Sequence, residues 1–257
     1  MPIKQKEKIF VAPYEMLARI YDSVMSHVNY DKWADYIIEI VNRHNVQVQR
    51  ILDISCGTGT LCLKLARKEY SVFGSDASLP MLKIARKKTL DLNKEIPFWR
   101  ANMINFALNF EPDLIISLYD SMNYLLTEAE WGKCLSGVYH ALREGGLFIF
   151  DVSTIHNSRY VFGDFSQREN LYDAVYFRKS RFDKRTMIQE TLFEIRFKQQ
   201  PNRVFCEKHQ QRIRWLDEVE QLIKESPFKR IARYNGFSFD TGAENSERVH
   251  FVLQKSG

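Results

Sequence analysis

The chain predicts an α/β protein: a doubly wound, mostly parallel seven-stranded sheet carrying a small inserted antiparallel β-sheet. Three observations lead there. From Ile51 to Val152 short apolar runs alternate with helical patterns, a rhythm that short right-handed crossovers satisfy with a parallel sheet wound in both directions. From Leu171 to Trp215 three longer, aromatic-rich, alternating segments take over, the mark of antiparallel strands. After Trp215 a helical stretch and two strand-like segments return, so the antiparallel part interrupts the α/β unit rather than following it.

The elements follow in order. The first eight residues are polar enough to fray. Tyr14 to Asn42 reads as two helices, because Leu17, Ile20 and Tyr21 and then Tyr36, Ile37, Ile40 and Val41 recur at helical spacing, with Asp31 placed to cap the second. "RILDIS" predicts a strand, Thr60 opens a helix, "SVFGSD" is a second strand, and Ser78 to about Leu92 a second helix. "PFWRAN" and "DLIISLYD" are strands, Thr127 to Leu142 a helix, and "GGLFIFDV" a fifth strand. Leu171–Phe182, Thr186–Lys198 and Arg203–Trp215, separated by the turns "FDKR" and "QQPN", form the meander. "LDEVEQLIKES" is helical with Leu216 or Asp217 near its cap, and "KRIARYNGFSF" and "RVHFVLQK" close the sheet. The expected division is residues 1–154 plus 217–257 as the α/β unit, with helices within 13–45 capping its site, and 155–216 as an inserted lid.

The chain carries a net charge of +5, too small to demand a nucleic-acid partner. No run of about 18 apolar residues is present to span a bilayer. "MPIKQKEKIF" has lysines but no apolar segment with a small-residue cleavage site, so no secretory leader is expected. Cys56, Cys62, Cys134 and Cys206 show neither metal-ligand spacing nor a disulfide framework, which fits a cytoplasmic setting without a metal.

The chemistry concentrates in "DISCGTGT". Gly57 and Gly59 fall where a strand must turn sharply into a helix and a ligand must approach bare backbone. A phosphate-binding loop would end in Gly-Lys-Ser/Thr, and a dinucleotide turn would carry a third glycine where Cys62 stands. Neither is present. Asp53, four residues before Gly57, would repel a pyrophosphate and suits a ligand with an amino group. Asp76 lies 23 residues after Asp53, near the roughly 20-residue offset at which an acid meets ribose hydroxyls. The turn therefore reads as a pocket for a ribose without a diphosphate.

These residues resemble the class I S-adenosylmethionine-dependent methyltransferases. "ILDISCGTGTLCLKLA", "VFGSDASLPMLKIARKK", "FWRANMINF", "DLIISLYDSMNYLL" and "LREGGLFIFDVST" look like that family's motifs in order, and "GFSF" with "RVHFVLQK" is similar to its antiparallel last pair of strands. The resemblance implies a Rossmann-like fold and S-adenosyl-L-methionine as cofactor. The backbone of Ser55, Cys56, Gly57 and Gly59 would wrap the methionine moiety, Asp53 would hold its ammonium through water, and Asp76, with Ala77 and Met81 beside it, would take the ribose. Asn102 and Met103 would occupy the adenine place, with the Met103 amide reaching a ring nitrogen, and Leu118 would be a further cofactor contact. Two residues depart from the family pattern. Asn102 replaces an aspartate, and Ser55 replaces a glycine, where a Cβ would crowd the methionine carboxylate or force another backbone angle.

Methyl transfer from a sulfonium needs alignment more than proton chemistry, although an amine acceptor must lose a proton. Tyr21 matches an aromatic that small-molecule members place over the reactive methyl, and reads equally as a core tyrosine. Asp120, Asn123 and Tyr124 follow the fourth strand at the ligand-binding edge; Asp120 serves the site or caps the next helix. His156 follows the fifth strand, at that edge or on an exposed loop. "RVFCEKHQQRIRW" alternates Phe205, Glu207, His209, Gln211, Ile213 and Trp215 on one face, and resembles the "E-x-H-x-Q-R" strand of small-molecule members. That face is either the lid's inner wall or a polar outer one. His209 is expected as base or orienting group ahead of Glu207, with Arg212 among the substrate contacts. From Ile155 to Leu216 there are 13 Lys and Arg against 7 Asp and Glu, so the positive excess sits in the insertion and suits an anionic or nucleotide-linked acceptor, or RNA, or is a solvated edge.

The expected activity is therefore methylation of a small-molecule acceptor at nitrogen or oxygen. Two alternatives stay open: RNA methylation, against which no Asn-Pro-Pro-Tyr or Asp-Pro-Pro-Tyr follows the fourth strand, and a non-catalytic cofactor-binding protein.

Overall fold

The computed structural model describes residues 7–90 and 95–256. In chain order the elements are β1 (Glu7–Val11), a 3-10 turn (Leu17–Arg19), α1 (Tyr21–Val24), α2 (Tyr30–Arg43), β2 (Arg50–Asp53), α3 (Thr60–Arg67), β3 (Ser71–Asp76), α4 (Leu79–Leu90), β4 (Phe98–Arg100) and β5 (Leu114–Ser117). A 3-10 turn (Ser121–Tyr124), α5 (Glu128–Ala141), β6 (Leu147–Ser153) and α6 (Ile155–Tyr160) lead into β7 (Asp164–Asn170), β8 (Ala174–Asp183), β9 (Ile188–Phe197) and β10 (Arg203–Arg212). The chain closes with α7 (Leu216–Lys224), β11 (Lys229–Asn235) and β12 (Arg248–Gln254).

The larger sheet has the expected seven strands, parallel from β6 to β4 and antiparallel at β12 and β11, in the order β11-β12-β6-β5-β2-β3-β4. Period-two alternation sorts its side chains. Ile51, Leu114, Ile116 and Ile149 face α2, α3 and α4 in one core, while Leu52, Ile115, Phe148 and Phe150 face α5 and α7 in the other. Strand order reverses between β2 and β5, which opens a crevice beyond their carboxyl ends where open α/β sheets bind ligands.

The second sheet runs β1-β10-β9-β8-β7, with β1 parallel to β10 and the rest antiparallel. It differs from the expected three-strand meander at both edges. Residues 7 and 8, expected to fray, open β1 and pair with Arg203 and Val204, while the six before them lie outside the described residues. β7 escaped notice because "DFSQREN" alternates polar with polar, so only the pairing with β8 defines it. Leu17 and Ile20 pack into this sheet's inner face with Tyr176, Phe193, Ile195 and Phe205, so in place of the first of the two expected helices stands a strap laid over the lid, with only the 3-10 turn and the short α1 in it. Asn29, not Asp31, caps α2 by accepting the Lys32 N–H, because Asp31 already lies inside the first turn. The helix expected to reach Leu92 ends, as far as described, at Leu90.

Candidate active site

A single cavity of about 890 Å³ fills the crevice and continues under the lid. One wall is the turn after β2. Gly57 and Gly59 both have left-handed backbone, φ +54° and +73°. A Cβ on Gly57 would enter open space, whereas one on Gly59 would lie 2.9 Å from both Ala85 Cβ and Phe98 Cζ. Gly59 is thus demanded by packing against α4 and β4, and it does not line the cavity. The Gly57 N–H donates to Asp76 Oδ2 at 2.9 Å and the Ser78 N–H to Oδ1 at 2.8 Å, so the carboxylate ending β3 is fixed across the turn. Asp53 is buried and accepts the Ser55 N–H at 3.0 Å. Burial pushes its carboxyl up to about 7, the Ser55 N–H pulling the other way and Asp76 adding to the rise. Burial also raises Asp76, against its two N–H bonds.

Ser55 resolves simply. Its backbone is not left-handed, and its Oγ bonds Ser117 Oγ at 3.1 Å at the end of β5, so the Cβ strains nothing. Asn102 Oδ1 is turned back to accept the Ile104 N–H at 3.1 Å, which leaves its amide NH₂ as the outward group. Cys56, Ala77, Met81, Met103 and Leu118 line the same wall. A buried carboxylate without a cation, a second one aimed by two N–H groups, and open space at Gly57 fit a ligand bearing an ammonium and a ribose.

The opposite wall comes from the strap and the lid. Tyr14, Tyr21 and Tyr124 converge, the Tyr14 and Tyr124 hydroxyls 2.7 Å apart. His209 is buried with Nδ1 2.9 Å from the Tyr124 hydroxyl and Nε2 3.2 Å from Glu207 Oε2. Arg178, Gln189, Thr191, Phe193 and Gln211 complete the wall, so the face carrying His209 and Gln211 is the lid's inner one. Arg178 makes no ion pair among the described residues. Its guanidinium lies between the rings of Phe162, Phe165 and Phe193 at 5.0, 5.4 and 5.6 Å, and its buried Nε has no partner. The Gln189 Oε1 is also buried without one.

Several expected substrate contacts lie elsewhere. Glu207 is fully buried outside the cavity wall, its oxygens occupied by the Tyr14, Met16 and Leu17 N–H groups. Asn123 is a buried pin: Oδ1 accepts the Ser153 N–H and Nδ2 donates to the Arg212 carbonyl. Arg212 turns away and donates to the Thr186 carbonyl. His156 sits on α6 against Tyr160 at 4.8 Å, because Thr154 caps that helix and starts it before the ring can reach the edge. Asp120 lines the cavity, but its carboxylate is spent on Arg248 Nη2 at 2.8 Å and Gln211 Nε2 at 2.6 Å. Arg248 also pairs with Asp151, so this cluster ties the lid to the sheet.

Sequence reasoning missed Tyr14, Arg178, Gln189, Thr191 and Arg248. Alternation along β8 and β9 would have placed Tyr176 and Arg178, then Gln189, Thr191 and Phe193, on the inner face. No local signal marks Tyr14 or Arg248.

Known proteins share this architecture. Residues 51–146 match the family described as a methyltransferase domain. A protein of Geobacillus sp. (strain WCH70) named as a putative methyltransferase is 30% identical over 245 residues, covering 94% of this chain and 99% of that one. An S-adenosylmethionine-dependent methyltransferase from Clostridium acetobutylicum ATCC 824 superposes with a TM-score of 0.81 at 25% identity, covering 95% of this chain and 99% of that one. The structure of S-adenosylmethionine-bound CalS10, an amino pentose methyltransferase from Micromonospora echinaspora, shares the fold with a TM-score of 0.71 at 18% identity, covering 92% and 97%. With full-length relatives behind the motif order and the strand order, the chain belongs to the class I methyltransferases, enzymes whose methyl donor is S-adenosylmethionine.

Proposed function

We propose that the enzyme methylates an amine or hydroxyl of a small anionic metabolite bound under the lid. The observation that carries this reading is Arg178: a cation on the inner wall with aromatic rings around it, its Nε unpartnered and no ion pair formed among the described residues. Desolvating an arginine without a counter-charge is costly, and an anionic group on the acceptor would offset that cost with charge-assisted hydrogen bonds. Size agrees. Ligand pockets of roughly 300–1,000 Å³ hold one drug-sized molecule, and a cavity at the upper end of that span, walled by two chemically different faces, accommodates a cofactor and a second small molecule together. The amino pentose methyltransferase among the structural neighbours is named for a small amine-bearing molecule.

The cofactor supplies an electrophilic methyl group on sulfur. The chain's part is to hold the two ligands in line and to exclude water: Asp53 faces the ammonium, Asp76 the ribose hydroxyls, Met103 and Leu118 the adenine, and Tyr21 the reactive end. Part of the lid's charge is offset locally, Lys208 by Glu190 and the strap's Lys8 by Glu194.

The test offers purified enzyme a methyl-labelled cofactor and three acceptor pools: phosphorylated or nucleotide-linked amines and alcohols, uncharged amines and alcohols, and RNA. Label appearing first in the anionic small molecules supports the reading. Label in RNA, or in uncharged acceptors at equal efficiency, overturns it, and cofactor binding with no transfer to any pool favours a non-catalytic role.

A further inference from the structure

Tyr14 has left-handed backbone, φ +62°, a conformation that a bulky residue adopts only where its surroundings impose it. Two side chains impose it here. Glu207 Oε2 accepts the Tyr14 N–H at 2.7 Å, and Ser78 Oγ donates to the Tyr14 carbonyl at 3.2 Å. The Tyr14 ring consequently stands edge-on to His209 at 4.7 Å, and its hydroxyl meets that of Tyr124. A continuous row of hydrogen bonds results: Tyr14 to Tyr124 at 2.7 Å, Tyr124 to His209 Nδ1 at 2.9 Å, and His209 Nε2 to Glu207 at 3.2 Å.

The far end fixes the direction of every bond. Glu207 Oε1 accepts the Met16 and Leu17 N–H groups at 2.6 and 2.7 Å, and Oε2 accepts that of Tyr14. With three N–H groups already aimed at its two oxygens, the group is arranged as a carboxylate that accepts, so Nε2 donates to it. Nδ1 of the neutral ring then accepts, Tyr124 donates to Nδ1, and Tyr14 donates to Tyr124. The free lone pairs of Tyr14 Oη are left at the cavity.

We propose that seating the N-terminal strap completes a proton path from the methyl acceptor through Tyr14 and Tyr124 to His209, with Glu207 holding both the strap and the imidazole at its far end. This rests on the methyl-transfer reading above. As the acceptor nitrogen or oxygen takes the methyl carbon, the electrons of the broken carbon–sulfur bond stay on sulfur. The acceptor's proton passes to Tyr14 Oη, the Tyr14 proton to Tyr124, and the Tyr124 proton to His209 Nδ1. One proton moves in net, and it ends as an imidazolium beside a carboxylate. Burial raises both tyrosine hydroxyls, so a standing tyrosinate is disfavoured and the hand-over is concerted. Tyr14 and His209 line the cavity; Glu207 is a positioning residue. The groups facing the imidazole are Glu207 on its own strand, Tyr14 of the strap, Tyr124 of the 3-10 turn and Phe193 of β9, with Asp120 and Arg178 acting on Tyr124 from further out.

Tyr14→Phe keeps the ring and removes the terminal hydroxyl. In the variant kcat should drop by about 100-fold and lose the acid-side fall that a base at the end of the path imposes on the wild type, with the cofactor Kd by calorimetry within about twofold. Tyr124→Phe, which cuts the path in the middle, should reproduce the profile. Nitrogen-15 NMR of the cofactor-loaded wild type supplies a readout independent of turnover and should show His209 protonated at Nε2, and Glu207→Gln should abolish that preference. An Nδ1–H tautomer in the wild type, or an intact acid limb in either tyrosine variant, overturns the path. Loss of cofactor binding in the wild type would instead sink the methyl-transfer reading itself.

Discussion

The two walls of the cavity, one proposed for the cofactor and one for the acceptor, are built in opposite ways. The cofactor wall is made of backbone and strand ends within one stretch: Asp53, the Gly57 turn and Asp76 lie within 24 residues and position one another through main-chain N–H bonds. The acceptor wall is made of side chains brought together from far apart. Glu207 bonds Tyr14 across 193 residues, Gln211 bonds Asp120 across 91, and Arg248 bonds Asp120 across 128. A wall fixed by its own turn holds one kind of ligand whatever the rest of the chain does. A wall assembled by long-range pairs can change its ligand by changing one residue.

Titrating the cofactor wall challenges that contrast hardest. Asp53 is the buried carboxylate the ammonium would neutralise, and with its carboxyl at about 7 the ionised fraction rises about tenfold between pH 6 and pH 8. The cofactor Kd should tighten by about that factor over the same range, measured by calorimetry, and Asp53→Asn should bind weakly and without the pH dependence. The sign for stability is opposite. A carboxyl raised on folding contributes stability that is full below the ordinary value of 3.8 and is lost as pH rises through about 7. Unliganded wild type should therefore lose Tm relative to Asp53→Asn between pH 5 and pH 8. A pH-independent Kd would mean that Asp53 does not face the ammonium.

The smallest effect is expected at Ser55. Its ordinary backbone and its bond to Ser117 predict that Ser55→Gly changes the cofactor Kd by less than about threefold, with a small loss of Tm from the added chain freedom. A large tightening would show that the hydroxymethyl group does crowd the ligand.

The same contrast explains what could be read from the chain. The β2–α3 turn, Asp76 and the run of βα units behind the seven-stranded sheet were legible because each is a local pattern: a strand, two glycines, an acid at a fixed offset. Gly59 was legible as a requirement but not as to cause, since the neighbours that exclude a Cβ, Ala85 and Phe98, come from other elements. Glu207 and His209 stood out by type and alternation. Nothing local told that one would be consumed by three backbone N–H groups and the other left at the cavity, because those donors belong to a strap that the parallel pairing of β1 with β10 brings alongside the lid. Asn123 and Arg212 failed for the same reason: their neighbours in sequence line the site, and the turn geometry aims them away.

The measurement that tests the account most directly is a paired one on Arg178→Gln: the cofactor Kd by calorimetry and the acceptor KM by label transfer. If the walls serve different ligands, KM should rise at least about tenfold, the loss of one charge-assisted contact, while Kd stays within about twofold. An unchanged KM, or a Kd that weakens as much as KM rises, would contradict it.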